Sequence, residues 1–353
     1  NPDLTPEIHK ELELGIEAKF FKNRVGVDVS LYTKDSEDLI IDLDLDNSTG
    51  YSSSTVNSAS INNKGVEAIL NVIPVQSRDF TWDVTASFSL LRSEVISIAD
   101  GIDQIYVGGY VGRGNIAIPG LPYGILEGEV IRRDYGSLDG TDHTQVHWDD
   151  RTNYTPIVNA NGGYQFLGYG VIGNPQPDFV YGVTNTLSYK WATLRVQFDS
   201  QVGGDVFSTT NSTLLGRGIL QETDFDRFVP VVTNGLSADG TPNTTQTTAN
   251  AHYWPNTGVF YDENSIYDAS VMRLREVSLS FVAPKSFLNG TPFGNASLTL
   301  SAQNIWHYAW NTPSGTNFDP EVISYGAGSN ARGFDEMTGP TAKKYGATLS
   351  LTF

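Results

Sequence analysis

Residues 11–20, ELELGIEAKF, alternate apolar and polar positions without interruption. The apolar set is Leu12, Leu14, Ile16, Ala18 and Phe20, and the charged set is Glu11, Glu13, Glu17 and Lys19. Successive side chains of a β-strand point to opposite faces, so this stretch predicts a strand with one apolar face and one charged face. A strand of a soluble antiparallel sheet has the same pattern, so ELELGIEAKF alone does not distinguish a soluble sheet from a membrane barrel.

The same alternation recurs along the chain. Clear examples are VGVDVSLYT (25–33), TWDVTASFSL (81–90), ATLRVQFDSQ (192–201), ASLTLSAQ (296–303) and ATLSLTF (347–353). Weaker examples occupy 64–73, 178–189 and 271–281, and the last changes phase near Glu276, where a β-bulge is expected. We therefore predict about nine strands and no helix.

The connections between these strands alternate in length. Short ones cover 22–24, 74–79, 190–191 and 284–294, and long ones cover 35–62, 100–176, 203–268 and 307–342. Loops beyond about 12–15 residues are uncommon in compact domains, whereas outer-membrane barrels join their strands by short periplasmic turns and long extracellular loops. The alternation predicts an all-β, antiparallel transmembrane barrel. Its apolar face would contact lipid, and its charged face would line a water-filled interior.

The composition excludes several function classes. The chain has 40 acidic and 22 basic residues, and this net charge of -18 argues against a nucleic-acid partner. The absence of cysteine excludes disulfides, thiolate metal sites and a cysteine nucleophile. No stretch approaches the roughly 18 consecutive apolar residues of a membrane-spanning helix. The mean hydropathy of -0.24 is compatible with a barrel, because only half of each strand faces lipid.

Nine strands do not close a barrel that sits in lipid. An open sheet edge leaves backbone groups unpaired in hydrocarbon, and each unpaired group costs several kcal/mol. The first residue, Asn1, follows neither an initiator Met nor a signal peptide. We therefore expect residues 1–353 to be the C-terminal portion of a larger outer-membrane barrel domain.

Five ordered parts of the chain carry a family resemblance. They are NPDLTPEIHKELELGIEAKFFKNRVGVDVSLYTKDSEDLI (1–40), GNPQPDFVYGVTNTLSYK (173–190), ASVMRLREVSLSFVAPKSFL (269–288), SLTLSAQNIW (297–306) followed by FDPEV (318–322), and YGATLSLTF (345–353). These parts resemble the SusC/RagA-like TonB-dependent outer-membrane transporters. Family members often carry paired Asp residues just before the GNP motif, whereas this chain has NANGGYQFLGYGVI there, so no cation site is transferred.

The resemblance implies a barrel of about 22 strands with a plugged lumen, of which these would be the last nine. It implies that the plug and the TonB-contacting segment lie outside residues 1–353. It also implies active import of oligosaccharides or oligopeptides across the outer membrane of a Gram-negative, Bacteroidetes-like cell. The implied partners are a SusD-like surface lipoprotein acting as a lid, TonB, the glycan or peptide ligand, and lipid or lipopolysaccharide. Neither enzymatic activity nor a cofactor is expected.

Candidate functional residues fall into three groups. Aromatic residues of the long loops suit sugar faces or peptide side chains, although each could instead pack within a loop or against a lid. These are Trp148, Tyr154, Tyr253, Trp254 and Trp310, with Tyr106 and Tyr110 as further members. The candidates for lining the lumen, which could equally bond a plug, are Arg195, Asp199, Arg273 and Arg275. The terminal Phe353 resembles the signal read by the barrel-assembly machinery and also fits a last lipid-facing residue.

Two polar clusters have weaker chemical interpretations. Asp42, Asp44 and Asp46 are spaced as at the start of a calcium loop, but the further ligands and the central Gly are missing, and Leu43 and Leu45 favour a strand. His143 and His147 could share a metal only on a helix, and none is predicted there. Without a nucleophile-elbow Ser or a Cys, we predict no catalytic site and no metal site, and structural calcium stays a weak alternative.

A rival function of a different class stays open. A structural or secretion-associated outer-membrane barrel would share the fold without importing a nutrient. The composition of the natively purified complex distinguishes the two, because an importer would associate with a lipoprotein lid. A third possibility, a soluble β-sandwich, would cover the apolar strand faces with a second protein layer.

Overall fold

Nine strands form one sheet in which each strand pairs antiparallel with the next one along the chain. The computed structural model describes residues 2–44, 48, 50–110, 112–134, 148–254, 261–312, 316, 318–321, 330–339 and 341–353. The nine strands are β1 (Ile8–Phe20), β2 (Val25–Asp44), β3 (Ser53–Gln76), β4 (Phe80–Ser97), β5 (Phe179–Tyr189), β6 (Ala192–Val202), β7 (Val271–Val282), β8 (Asn295–Tyr308) and β9 (Lys344–Thr352). The predicted all-β fold and its nine strands are confirmed.

The connections lie at two opposite ends of this sheet. At one end, which we call the turn end, the connections are 21–24, 77–79, 190–191 and 283–294. The outer end carries 45–52, 98–178, 203–270 and 309–343. The prediction of a long loop at 35–62 is wrong, because β2 and β3 stay paired as far as Asp44 and Ser53. The strand pair therefore continues past the alternating region and leaves a short outer connection.

The register places polar and apolar side chains in separate rows across the sheet. One row of directly paired residues is polar apart from a glycine: Lys19, Gly26, Asn71, Thr85, Thr184, Gln197, Glu276, Gln303 and Lys344. The adjacent row is apolar: Ala18, Val27, Leu70, Ala86, Val183, Phe198, Leu274 and Trp306. Because neighbouring residues of a strand point to opposite faces, the sheet has a polar face and an apolar face.

The apolar face is open to its surroundings in the part of the chain that the structure describes. Ile16 and Leu349, near the two edges, expose 72% and 66% of their surface. The buried apolar residues of the nine strands, Ala59, Val95 and Val271, lie towards the outer end of the sheet. An apolar face of this extent without a covering protein layer fits contact with hydrocarbon, which argues against the soluble sandwich.

A β-bulge interrupts β7 near Glu276, as the change of phase predicts. Pairing with β8 shifts between Leu274 and Glu276, and pairing with β6 shifts opposite Gln197 and Phe198. Arg275 is the extra residue of the bulge. Arg273 and Arg275 are two residues apart and therefore lie on the same face, where both reach the carboxylate of Asp199.

Aromatic side chains lie at both ends of the strands. At the turn end, Trp191 contacts Phe281 with ring centroids 5.7 Å apart, and Phe353 is 86% exposed. At the outer end of β8, Trp306 and Tyr308 stack with centroids 6.4 Å apart. Two aromatic belts separated by the apolar rows are typical of strands that cross a bilayer.

The described residues of 98–178, 203–270 and 309–343 fold together into what we call the loop layer. Its largest unit is a four-stranded antiparallel sheet in the order Phe166–Gly173, Ile125–Ile131, Arg113–Ala117 and Ile105–Tyr110. A three-stranded sheet joins Ile266–Asp268, Asp205–Ser208 and Phe334–Asp335. Two short pairs are Val231–Val232 with Gln246–Thr247 and Arg133–Asp134 with Thr155–Pro156.

The loop layer has its own dry core. Leu126, Val130 and Ile172 from 98–178 pack with Phe207 and Phe334, which come from the other two loops. The rings of Phe207 and Phe334 have centroids 5.9 Å apart. Burying such side chains contributes about 1.5–3 kcal/mol each, which offsets the entropy of ordering long loops.

Helices occur only as short elements among the described residues, so the prediction of no helix is wrong in detail. They are α1 (Thr209–Gly216), α2 (Ala249–Tyr253), α3 (Lys285–Leu288) and the 3-10 turns Trp148–Asn153, Gln221–Thr223 and Asp262–Ser265. The Ser208 hydroxyl caps α1 by accepting from the amide of Asn211 at 3.1 Å. It also donates to the buried carboxylate of Asp335 at 2.7 Å, which joins α1 to the third loop.

We expect opposite responses to arginine at two adjacent positions of β5. Val183→Arg puts a charge on the apolar face, where a midplane arginine costs about 2–4 kcal/mol in a barrel. Thr184→Arg puts the same side chain on the polar face and serves as the matched control. The measurement is the amount of heat-modifiable folded barrel in outer-membrane fractions. Equal folding of both variants would contradict the assignment of the two faces.

Candidate functional site

Five charged side chains meet on the polar face near the outer end of the sheet. Asp199 lies on β6, Arg273 and Arg275 lie on β7, and Asp319 and Glu321 come from the loop 309–343. We call this group the charge network. Three of its members are sequence candidates for the lumen wall, and the other two belong to the FDPEV motif.

Arg275 is held between two carboxylates. Its Nε and Nη2 donate to the two oxygens of Asp199 at 2.7 and 2.8 Å. Its Nη1 and Nη2 donate to the two oxygens of Glu321 at 2.9 and 2.8 Å. Paired donors of this kind fix orientation as well as distance, so Arg275 aligns the loop against β6 and β7.

Arg273 makes the buried half of the charge network. Its Nη2 donates to Oδ1 of Asp319 at 3.0 Å, and the two side chains expose only 6% and 1% of their surface. The hydroxyl of Thr341 donates to the other Asp319 oxygen. Burial raises the pKa of Asp319, but the hydrogen bond from Thr341 and the charge of Arg273 outweigh it and lower that pKa. Asp319 therefore stays ionised and ties the loop to the sheet.

Arg195 lies on the same face but outside the charge network. It pairs in register with Thr186 and Ser278, nearer the turn end, and its side chain is exposed. Among the described residues no carboxylate forms an ion pair with it. Of the four candidates for the lumen wall, the structure brings three into one group and leaves Arg195 apart.

A cavity of about 610 Å³ opens on the polar face beside the charge network. Asp28 and Glu67 border it from β2 and β3, and Asp199, Arg273 and Glu321 border it from the other side. The lining carries four carboxylates and one guanidinium, so it is negative. If the sheet is part of a barrel, this cavity belongs to its lumen.

The aromatic candidates lie in different parts of the loop layer. Tyr253 ends α2 and packs against Leu215 and Leu220, with its ring 6.3 Å from that of Phe225. Trp254 follows directly, is 39% exposed, and lies under the guanidinium of Arg217 at 5.0 Å. Tyr253 is therefore largely a packing residue, whereas Trp254 presents a ring to solvent.

The remaining aromatic candidates come from two other loops. Trp148 begins the 3-10 turn Trp148–Asn153 and Tyr154 follows it, and both side chains are half-buried. Trp310 is exposed just beyond β8. Tyr106 is exposed on the edge strand Ile105–Tyr110, and the side chain of Tyr110 lies outside the described part of the structure. The role of each in binding stays a prediction.

Ion pairs to two buried carboxylates, Asp262 and Glu263, fasten the loop layer, and no sequence pattern indicated them. Arg113 donates to Asp262 at 2.5 Å across 149 residues of chain. Arg133 and Arg151 both pair with the buried Glu263. Removing one partner of such a pair costs about 3–5 kcal/mol, because a charge is left without compensation in the interior. No local motif marks these residues, whereas FDPEV could have indicated Asp319 and Glu321.

The GNP motif joins two loops through a reciprocal contact. The amide of Asn174 donates to the Asp205 carboxylate at 2.7 Å, and the amide of Asp205 donates to the Asn174 carbonyl at 2.7 Å. A side chain at Gly173 would collide with Asp205, since an added Cβ would lie 2.8 Å from Oδ2. Burial, opposed by the Asn174 amide and assisted by nearby Asp149, raises the pKa of Asp205 to about 6.

Several sequence candidates are only partly described. Asp42 lies at the outer end of β2 and accepts a hydrogen bond from Thr55, while the side chain of Asp44 and all of Asp46 lie outside the described part of the structure. His143 and His147 lie outside it as well. Phe353 follows β9 and its ring lies 5.1 Å from that of Phe293.

Among the residues that the structure describes, no helix is both long and apolar enough to cross a membrane. No group of three or more His, Asp or Glu side chains there is arranged to hold a metal ion.

An antiparallel sheet with an apolar lipid face, a polar inner face and a folded outer loop layer defines the wall of an outer-membrane β-barrel. The chain belongs to the TonB dependent receptor-like β-barrel family, whose model matches residues 1–199. Its location is the outer membrane.

Two curated relatives match over the whole chain, and a third matches over about three quarters of it. It is 26% identical to the TonB-dependent receptor P3 and 27% identical to P26, both of Formosa agariphila, over 100% of this chain and 35% of each receptor. It is 22% identical to the TonB-dependent receptor SusC of Bacteroides thetaiotaomicron over 76% of this chain and 25% of that receptor. The chain thus spans about a third of the length of the first two receptors.

The fold is similar to that of the RagAB peptide transporter. One structure superposes with a TM-score of 0.68 at 21% identity and covers 100% of this chain and 36% of that chain. The RagAB peptide importer in its closed-closed state gives a TM-score of 0.69 with the same coverage. The predicted resemblance to SusC/RagA-like barrels is therefore confirmed at the level of family and fold.

We expect Arg275→Gln to loosen the loop 309–343 from the sheet. Hydrogen bonds to charged groups contribute about 1.5–3 kcal/mol when buried, and Glu321 is 41% exposed, so the lower end applies. Hydrogen exchange at 318–321 should accelerate about tenfold. Arg195→Gln removes the same charge from the same face and should change nothing there. Equal exchange in both variants would show that the charge network does not hold the loop.

Asp205→Asn should change the pH dependence of stability. From about pH 4 to pH 6 the folded protein keeps a proton on Asp205 that the unfolded chain has released, so the free energy of unfolding falls as pH rises. The asparagine side chain keeps an oxygen that can accept the hydrogen bond from the backbone amide of Asn174, and it carries no charge. We expect the free energy of unfolding of the variant to exceed that of wild type by about 3 kcal/mol at pH 8, at about 1.4 kcal/mol per pKa unit. Near pH 4 the two proteins should have equal free energies of unfolding.

The measurement is reversible unfolding of the protein in detergent at pH 4, 6 and 8. A difference in stability that does not depend on pH would contradict the raised pKa of Asp205.

Proposed function

We propose that this chain forms the wall and the extracellular vestibule of an active importer of oligosaccharides or oligopeptides. The observation that carries the proposal is the folded loop layer above a polar, cavity-bearing sheet face. Loops with a dry core and buried ion pairs are preorganised, which suits ligand capture better than unstructured loops do. Membership of the TonB-dependent receptor-like family and a fold similar to that of the RagAB peptide transporter support this role.

Other parts of the proposed machine lie outside this chain. Residues 1–353 would be the C-terminal portion of the barrel, and further strands would pair with β1 and β9, because open edges are unfavourable in lipid. A plug and a TonB-contacting segment would occlude the lumen and couple import to the inner-membrane proton gradient. A SusD-like surface lipoprotein would act as a lid on the loop layer. We propose no chemistry on the substrate.

Deletion of the gene should abolish growth on one class of nutrient. We expect loss of growth on a particular glycan or peptide mixture as sole carbon source, restored by the wild-type gene and lost again when TonB is inactivated. The natively purified complex should contain a surface lipoprotein, identified by mass spectrometry. Normal growth on every nutrient, together with secretion components in the complex, would instead favour the structural or secretion-associated barrel.

A further inference from the structure

A second, smaller cavity lies within the loop layer, away from the polar face of the sheet. It has a volume of about 300 Å³ and lies between α1, the four-stranded sheet and the turn Asp262–Ser265. Arg113, Glu129, Arg217, Trp254 and Met337 contribute side chains to its lining. One water needs about 10–15 Å³ of such space, so the cavity has room for several waters or for a small ligand fragment.

The two guanidinium groups of this cavity differ in whether a carboxylate neutralises their charge. Arg113 is neutralised by the buried Asp262, whose second oxygen accepts from the amide of Glu129 at 3.1 Å. Arg217 has no carboxylate within ion-pair distance among the described residues. Its guanidinium lies 5.0 Å above the ring of Trp254, which orients it by a cation–π contact without neutralising it. The cavity therefore offers one oriented positive charge to an anionic group.

Glu129 supplies hydrogen-bonding capacity on the same cavity. Its side chain has no ion-pair partner among the described residues. Burial and the charge of Asp262 raise the pKa of Glu129, and Arg113 opposes this increase. A carboxyl group in this state can accept from hydroxyls of a ligand and, when protonated, donate to them.

The apolar part of the lining comes from Trp254 and Met337, which are 39% and 63% exposed. An indole ring next to polar groups presents a flat apolar surface with hydrogen-bonding partners at its edge. Sugar rings match such a surface, because one face carries C–H groups while the hydroxyls point outward.

The backbone around the cavity favours a sugar over a peptide. Extended peptides are recognised largely by adding a strand to a free sheet edge. Arg113–Ala117 and Ile125–Ile131 are both interior strands of the four-stranded sheet, so their backbone groups are already paired. The amides of α1 beyond its capped first turn are bonded within the helix. These elements offer a ligand their side chains, which suits a hydroxyl-rich molecule.

We infer that this cavity is a subsite for one carboxylate-bearing sugar residue of an oligosaccharide, such as a uronic acid unit. The carboxylate pairs with Arg217 at the edge of the indole, hydroxyls bond Glu129, and the C–H face of the sugar ring lies on the face of Trp254 that Arg217 leaves open. A guanidinium fork and a carboxylate form paired, charge-assisted hydrogen bonds, so the carboxylate is the main determinant of specificity. This inference rests on the proposed import function and narrows its substrate class.

The test is direct binding to the full-length protein purified in detergent. The probes are the methyl glycosides of glucuronic, galacturonic and mannuronic acid, their neutral parents, and trialanine, each followed by saturation-transfer NMR and titration. We expect at least one uronide to bind tenfold or more tightly than its neutral parent. Arg217→Gln should remove this preference and Trp254→Ala should weaken all sugar binding. Lys285→Gln, at the turn end of the sheet, controls for loss of one positive charge.

The inference is overturned if no uronide binds better than its neutral parent, or if Arg217→Gln leaves uronide affinity unchanged. Arg217-dependent binding of trialanine without uronide binding would also overturn it and would assign the cavity to a peptide carboxylate. Because binding to the purified protein needs neither TonB nor a lid, these results are independent of the uptake assay. If the protein is needed for uptake but its cavity binds no uronide, the proposed function stands and only the proposed subsite is wrong.

Discussion

Backbone amides and carbonyls in hydrocarbon have only one another as partners, and the nine-stranded sheet follows from this constraint. Each strand pairs with its neighbour through the apolar region, so the hydrogen bonds of the interior strands are satisfied within the sheet. Once the backbone is satisfied, the side-chain period of two separates a lipid face from a polar face. The polar row from Lys19 to Lys344 and the apolar row beside it are the direct result.

The energy that orders the outer loops has a different origin. In the membrane span, apolar side chains face lipid and no dry protein core forms among the described residues. In the loop layer, Phe207 and Phe334 bring segments from separate loops onto Leu126 and Val130, as in the core of a soluble domain. The structure thus joins a barrel wall stabilised by backbone pairing to a water-exposed layer stabilised by apolar burial.

The charge network connects these two regions. Arg273 and Arg275 stand on a strand of the wall, while Asp319 and Glu321 belong to the loop 309–343. Both guanidinium groups reach Asp199, and the buried Asp319 accepts from Arg273 and from Thr341. A wall that holds a loop in this way gives the polar face a fixed, negatively charged border near its outer end.

The sequence by itself determined the features that depend on neighbouring residues. Alternation with a period of two specified nine strands, their two faces and the bulge near Glu276, and the three longest connections marked the outer end of the sheet. The predicted loop 35–62 ended β2 at the polar run 35–38, although the alternation resumes at Asp42, Leu43 and Asp44 and β2 extends to Asp44. The short α1 was missed as well, since eight residues are too few for a clear helical period.

Only the tertiary structure decided which distant residues meet. Arg113 finds Asp262 across 149 residues, and the FDPEV carboxylates reach two arginines of β7. The oriented Arg217 beside Trp254 likewise depends on how α1 and α2 pack. Such pairings follow from the folding of separate loops onto a common core, and no local periodicity encodes them.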